Sequence, residues 1–168
     1  MILFTRFREL SDDQMQHFYT YLLKGKPIIA VRTATHAFRF QDTTGQYRHW
    51  GNYYNGDNNN WNGGFGNKIL GVNWHSHHGR HGHQSTRGVF PKGEKLHPIL
   101  QGIDDGSIWG PTDVYGLPLP LNPEITPIVY GLVVDREGEY DVSDVLFGMK
   151  ETDQKLPKSK TDTKVDLN

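Results

Sequence analysis

The stretch Lys26-Pro-Ile-Ile-Ala-Val-Arg-Thr-Ala-Thr-His-Ala-Phe38 decides the fold that this sequence predicts. Residues 28–31 form a short apolar run, which is typical of a strand buried on both faces of a parallel sheet. Arg32, Thr33 and His36 follow at its carboxyl end, where α/β proteins bind their ligands, so this turn is a candidate site. The alternative is a core strand followed by a helix that a threonine side chain caps.

A strand and a helix precede this stretch and complete a parallel crossover. Residues 1–7 predict the strand, and Ser11 followed by Gln14 predicts a capping box at the helix start. Lys24 and Gly25 predict its end. Strand, helix and strand in this order predict a right-handed parallel connection. The apolar residues that recur at helical spacing predict one buried helix face: Met15, Phe18, Tyr19, Leu22 and Leu23.

The segment from Gly25 to His36 resembles the nucleophile elbow of the class I glutamine amidotransferase-like superfamily, and most closely its ThuA-like (trehalose-utilisation) branch. Arg32 stands at the position of the amidotransferase cysteine, and the chain has no cysteine, which excludes the thiol mechanism. The resemblance covers residues 1–148 and implies a three-layer, flavodoxin-like α/β domain with a mostly parallel sheet. Terminal parts of the family pattern are missing, so we expect the sheet to be incomplete at both ends, with residues 149–168 as a polar tail or an interrupted loop.

The densest chemical signal is the segment His75-Ser-His-His-Gly-Arg-His-Gly-His83, which holds five of the nine histidines. A strand is predicted over residues 68–74, and if it continues, His75 and His77 point to one face. Such a pair can bind zinc or another divalent metal through imidazole nitrogens, although two nearby arginines disfavour a cation. The alternatives are a hydrogen-bonding or acid–base site and a loop of surface histidines.

The segment Thr112-Asp113-Val114-Tyr115 places polar side chains at a predicted bend. Asp113 could orient a histidine, and Tyr115 could donate to a carbonyl or a hydroxyl group. The alternative is a turn cap. The resemblance to the ThuA-like family also covers Gly71-Val-Asn-Trp-His-Ser-His-His78 and His97-Pro-Ile-Leu-Gln-Gly-Ile103, and it implies that the first of these borders the site.

Residues 41–67 read as a long loop rich in asparagine and glycine, with embedded aromatic residues. Long loops in compact domains are usually functional or mobile. Their rings could form a carbohydrate platform beside amide groups, or they could fix an insertion to the core. The aromatic residues concerned are Tyr53, Tyr54, Trp61 and Phe65.

Composition limits the other function classes. The chain has 168 residues and a formal net charge of −1, so no basic excess points to nucleic acid. The chain contains no run of 18 apolar residues, which is the length that a membrane-spanning helix needs. Met1-Ile-Leu-Phe lacks the features of a signal peptide, which makes the cytoplasm the default expectation. Exposed edges of an incomplete sheet would favour a homo-oligomer.

The function implied by the resemblance lies in carbohydrate metabolism: binding a sugar or keto-sugar, or acting on it, by histidine acid–base chemistry. The alternatives are a metal-dependent hydrolase built on residues 75–83 and a non-catalytic sugar-binding or structural domain. We predict no obligatory cofactor, and a zinc or other divalent ion would use His75 and His77. The predicted catalytic residues are His36, His77 and Asp113. The predicted substrate-binding residues are Arg6, Arg32, Thr33, His75, His78 and Tyr115.

Overall fold

A computed structural model of the protein describes residues 1–80, 84–91, 97–136 and 155–157. The chain divides into two compact units. The first unit comprises Met1–His75 and Leu117–Ile125, and the second unit comprises Ser76–Gly116 and Thr126–Asn168. The domain predicted over residues 1–148 therefore includes parts of both units.

The first unit begins with the parallel crossover that the sequence predicts. Strand β1 (Ile2–Leu3) pairs in parallel with β2 (Ile29–Ala30), and helix α1 (Asp12–Leu23) connects them. Ile2 stands opposite Ile29 in the register. The order of these three elements is thus confirmed, although both strands are only two residues long.

Helix α1 starts and ends where its sequence signals lie. The Gln14 N–H donates to Ser11 Oγ at 3.4 Å, and the Ser11 N–H donates to Gln14 Oε1 at 3.2 Å, which confirms the capping box. The predicted buried face is confirmed in part. Met15 is fully buried, and Phe18 and Leu22 pack against the core, whereas Tyr19 and Leu23 are exposed.

Aromatic rings form the core of the first unit. Trp50, Phe38 and Phe65 are its largest fully buried side chains. Phe65 meets Phe38 edge-on at 5.3 Å and stacks on Trp50 at 5.7 Å between ring centroids. Trp61 stacks on Trp50 in turn, at 5.2 Å. For Phe65 and Trp61, the structure therefore favours rings that fix residues 41–67 to the core over an open carbohydrate platform.

Helix α2 (Gly64–Ile69) replaces the beginning of the strand predicted over residues 68–74, and that prediction is wrong. A Cβ atom at Gly66 would lie 2.0 Å from the backbone oxygen of Thr35. The helix backbone therefore packs directly on the short 3-10 helix Arg32–His36, which only glycine permits. Two further 3-10 turns, Arg48–Trp50 and Asn59–Trp61, order the preceding loop.

The second unit consists of antiparallel strands in the part that the structure describes. A four-stranded sheet has the order β5-β4-β7-β8, and a two-stranded sheet pairs β3 with β6. The strands are β3 (Ser76–His78), β4 (Ser85–Val89), β5 (Ile108–Gly110), β6 (Val114–Gly116), β7 (Tyr130–Arg136) and β8 (Lys155–Pro157). Strand β8 comes from the predicted polar tail, of which residues 149–154 and 158–168 lie outside the described residues.

The predicted three-layer, flavodoxin-like domain with a mostly parallel sheet is wrong. Among the described residues, β1 and β2 are the parallel pair of strands, and every other strand pairing is antiparallel. The run at residues 28–31 is not buried on both faces, because Ile29 is 62% and Val31 is 41% exposed. Antiparallel strands need only loops between them, whereas parallel strands need long crossovers, and the described part contains one such crossover.

Neither of the two described α-helices is long and apolar enough to cross a lipid bilayer.

Candidate functional site

His77 and Tyr115 meet across the two-stranded sheet of the second unit. They are directly opposite in the antiparallel register of β3 and β6. Side chains at such positions point to the same face and are within contact distance. The Tyr115 ring meets the His77 ring edge-on, with centroids 5.4 Å apart and an interplanar angle of 83°.

Asp113 supplies a buried carboxylate to His77. It precedes β6, and one of its oxygens, Oδ2, forms a short hydrogen bond with Nδ1 of His77. The other oxygen, Oδ1, accepts from Thr112 Oγ1 at 2.7 Å. The Asp113 side chain is fully buried, whereas the His77 side chain is 47% exposed. The pair therefore has one end enclosed by protein and one end open to solvent.

This hydrogen bond assigns the roles of the two ring nitrogens. Because an ionised carboxylate only accepts hydrogen bonds, Nδ1 of His77 is assigned as the donor. In the neutral ring, Nε2 is then the basic nitrogen. A carboxylate in this position holds the imidazole in one tautomer and stabilises the imidazolium that forms when Nε2 takes up a proton. The arrangement can act as a general base and, once protonated, as a general acid.

Thr86 and Gly79 support the segment that carries the Asp113 carboxylate. Thr86 on β4 donates its hydroxyl to the backbone oxygen of Thr112 at 2.7 Å. Gly79, directly after β3, has a φ of +98°, and a Cβ atom there would lie 3.0 Å from Val133 and 3.5 Å from the Cβ of Asp113. The chain thus turns tightly beside the pair, in a conformation that favours glycine.

The predicted site residues are divided between the two units. The structure brings His77, Asp113 and Tyr115 together, and Asp113 forms a hydrogen bond with a histidine, which is the contact that an orienting role requires. His78 follows His77 on β3, opposite Val114, so its side chain points to the other face. His75, Arg6, Arg32, Thr33 and His36 all belong to the first unit.

His36 is enclosed by aromatic rings. It is 3% exposed, and its ring lies 4.8 Å from that of Phe7 and 5.3 Å from that of Trp74, measured between centroids. Its Nδ1 lies 3.2 Å from Thr35 Oγ1. Such burial limits the access of a substrate to this imidazole, and the catalytic role of His36 stays a prediction.

A metal site at residues 75–83 also stays a prediction. In the described part of the chain, no group of three His, Cys, Asp or Glu side chains could hold a metal ion. His81 and His83 lie outside the described residues. His77 could offer Nε2 to a metal, because a ligating histidine commonly donates its other N–H to a carboxylate.

The sequence gives no local signal for the supporting residue Thr86, which lies 26 positions from Thr112. Thr112 lies in the predicted bend, but its residue type alone does not predict that its hydroxyl donates to Asp113 Oδ1.

Comparisons with protein-family models, curated proteins and solved structures returned no match for this chain. The resemblance to the ThuA-like family therefore stays a prediction.

Proposed function

We propose that the second unit is a general acid–base site, in which His77 exchanges a proton with a sugar or keto-sugar. The observation that carries this proposal is the hydrogen bond between His77 Nδ1 and the buried carboxylate of Asp113. A buried carboxylate on Nδ1 and a half-exposed ring are what an imidazole needs to act as a base through Nε2.

The simplest chemistry for this pair is proton transfer next to a carbonyl group. Nε2 of His77 takes a proton from the carbon beside the carbonyl, the electron pair of the broken C–H bond forms a C=C bond, and the π pair of the C=O bond moves onto the carbonyl oxygen. The Asp113 carboxylate stabilises the imidazolium, which then returns the proton to carbon or oxygen. Tyr115, whose ring contacts His77, is our proposed donor to the developing oxyanion.

The substrate class rests on the resemblance alone. Residues 71–78, which include His77, resemble a segment of the ThuA-like family, and that resemblance implies a role in carbohydrate metabolism. The geometry of His77 and Asp113 supports the proton transfer independently of that assignment.

The test is exchange of carbon-bound hydrogen with solvent. Ketoses such as fructose and dihydroxyacetone are incubated with the protein in D₂O, and loss of the proton signal next to the carbonyl is followed by NMR. We expect the Asp113→Asn exchange rate to be about 10- to 100-fold below the wild-type rate. We expect His77→Ala to show only the buffer rate, and His17→Ala, on the exposed part of α1, to match the wild type.

An unchanged exchange rate in His77→Ala would contradict the proposal, and so would the absence of exchange with every ketose tested. Elemental analysis of untagged protein distinguishes the metal-dependent alternative. Stoichiometric metal that is lost in the His75→Ala/His77→Ala double variant would move the assignment to metal-assisted chemistry.

A further inference from the structure

The first unit exposes a face of arginine and aromatic side chains, which we call the arginine face: Arg6, Phe7, Arg8, Arg39 and Tyr53. The Arg6 guanidinium lies 5.3 Å from the centroid of the Phe7 ring, and that of Arg39 lies 5.6 Å from the Tyr53 ring. The Phe7 and Tyr53 rings stack on each other at 5.8 Å with an angle of 22° between them. The two rings thus connect two guanidinium groups.

Backbone hydrogen bonds bring the segments of the arginine face together. The Arg8 N–H donates to the Ala37 oxygen at 2.7 Å, and the Arg39 N–H donates to the Arg8 oxygen at 3.0 Å. These bonds form a parallel bridge between Arg8 and Phe38. Arg8 and Arg39 are therefore fixed neighbours, although they are far apart in sequence.

The backbone at this face is strained. Phe7 has a φ of +47°, and Arg32, which begins the 3-10 helix leading to His36, has a φ of +40°. Left-handed φ values are unusual for residues as bulky as these, and such outliers cluster at functional sites. The Phe7 N–H donates to the His36 oxygen at 3.0 Å, and the two rings are in contact, so buried His36 holds Phe7 in this conformation.

Within the described residues, no salt bridge neutralises the charge of the arginine face. Arg6, Arg8 and Arg39 are exposed and form no salt bridge with any carboxylate in the part of the chain that the structure describes. The nearest acidic residue in sequence, Glu9, uses its Oε1 to accept the N–H groups of Gln41 and Asp42. With respect to the described carboxylates, the three guanidinium groups are therefore available for an anionic ligand.

We propose that the arginine face binds the phosphate group of a small phosphate ester. Arginine presents a planar fork of donors that matches phosphate oxygens, and stacking on a ring reduces the freedom that the guanidinium loses on binding. Phe7 and Tyr53 supply that stacking. This site lies within the first unit and does not depend on the acid–base chemistry proposed for the second unit.

Calorimetric titration with inorganic phosphate, glucose 6-phosphate and glucose tests the proposal. We expect both phosphates to bind the wild type, with dissociation constants that rise with salt, and we expect glucose to give the same signal in the wild type and in Arg6→Gln/Arg39→Gln. Arg6→Gln/Arg39→Gln should weaken phosphate binding at least ~10-fold, and Tyr53→Ala should weaken it by a smaller factor, because it removes only the stacking partner. Lys24→Gln removes an exposed charge at the end of α1 and should bind as the wild type does.

Three results would overturn the proposal: no phosphate binding by the wild type, equal affinity in the double arginine variant, or equal weakening in Lys24→Gln. Circular dichroism spectra of the variants show whether they are folded. A folded double variant that has lost phosphate binding, while Lys24→Gln keeps it, would support the site.

Discussion

Two histidines, His36 in the first unit and His77 in the second, differ in solvent exposure and in the groups that contact their rings. Both follow a predicted strand within a polar segment of the sequence. His36 is enclosed by the rings of Phe7 and Trp74. His77 is half-exposed and shares a hydrogen bond with a buried carboxylate. The comparison shows that a carboxylate partner and solvent access, more than position after a strand, distinguish a candidate acid–base histidine.

The same contrast extends to the surroundings of the two residues. The 3-10 helix that ends at His36 packs on an aromatic core, where apolar burial and ring contacts dominate. The pair around His77 lies on short antiparallel strands and depends on a chain of polar contacts through Asp113 and Thr112. We therefore expect loss of side-chain volume to lower the unfolding free energy of the first region. In the second region, we expect loss of single hydrogen bonds to lower it.

The largest effect is expected from removing the central ring of the first region. Trp50→Ala deletes a fully buried indole that stacks on both Phe65 and Trp61. We expect the free energy of unfolding of the first unit to fall by about 3–5 kcal/mol. Hydrogen exchange of the α1 amides, read by mass spectrometry, measures this loss within the unit.

Leu23→Ala is the control for Trp50→Ala. Leu23 lies on α1 and is 68% exposed, so its truncation should change the unfolding free energy by no more than about 0.5 kcal/mol. Similar losses in both variants would contradict the assignment of Trp50 to the core.

A smaller effect is expected from Thr112→Val, which sharpens the polar side of the comparison. The substitution keeps the shape of the side chain and removes the hydroxyl that donates to Asp113 Oδ1 at 2.7 Å. A hydrogen bond to a charged group contributes about 1.5–3 kcal/mol, so we expect a loss of this size in the second unit. Hydrogen exchange of the β4 amides measures it, and ¹⁵N NMR of the His77 ring shows whether Nδ1 still carries the proton.

Thr44→Val is a matched control, because Thr44 Oγ1 also donates to an aspartate, Asp42, but at an exposed position of the first unit. Its loss should leave the β4 amides unchanged. A Thr112→Val protein with wild-type exchange and an unchanged His77 tautomer would show that Asp113 needs no support from this hydroxyl.

The part of the fold that could be predicted depends on signals close together in sequence. The capping box uses Ser11 and Gln14, three residues apart, and Gly25 ends the helix with a φ of +61°. The apolar residues within 68–74 predicted a strand, but helix α2 extends to Ile69, and the backbone of its Gly66 packs on that of Thr35. That contact joins residues 31 positions apart, so the hydrophobic periodicity of either segment does not predict it.

Strand direction was not predictable for the same reason. An apolar run such as residues 127–134 suits a parallel or an antiparallel neighbour equally well. Its partner is decided by the register with β4, where Val133 stands opposite Thr86. The candidate site was closer to prediction, because His77 lies in the dense histidine segment and Asp113 lies beside Tyr115 at a predicted bend, so both stood out before their contact was known. Thr86, a common residue type in a strand, did not.

The smallest effect concerns a third histidine, His49, which lies beside the same aromatic core as His36. Its ring meets that of Trp61 edge-on at 4.5 Å. Burial lowers the pKa of His49 below its usual value of 6.5, and the positive charge of Arg48 lowers it further, whereas a backbone hydrogen bond with Gln46 opposes the shift. The folded protein therefore takes up a proton at this ring less readily than the unfolded chain does.

This pKa difference gives the pH dependence a definite sign. Above about pH 6.5 the ring is neutral in both states, and the stability is fully present. As the pH falls below that value, the unfolded chain binds the proton first, so the unfolding free energy of the first unit decreases until the folded-state pKa is passed. Urea midpoints between about pH 7.5 and pH 5.5 should fall less in His49→Gln than in the wild type. Equal slopes in His49→Gln and the wild type would mean that enclosure by rings does not hold this imidazole neutral.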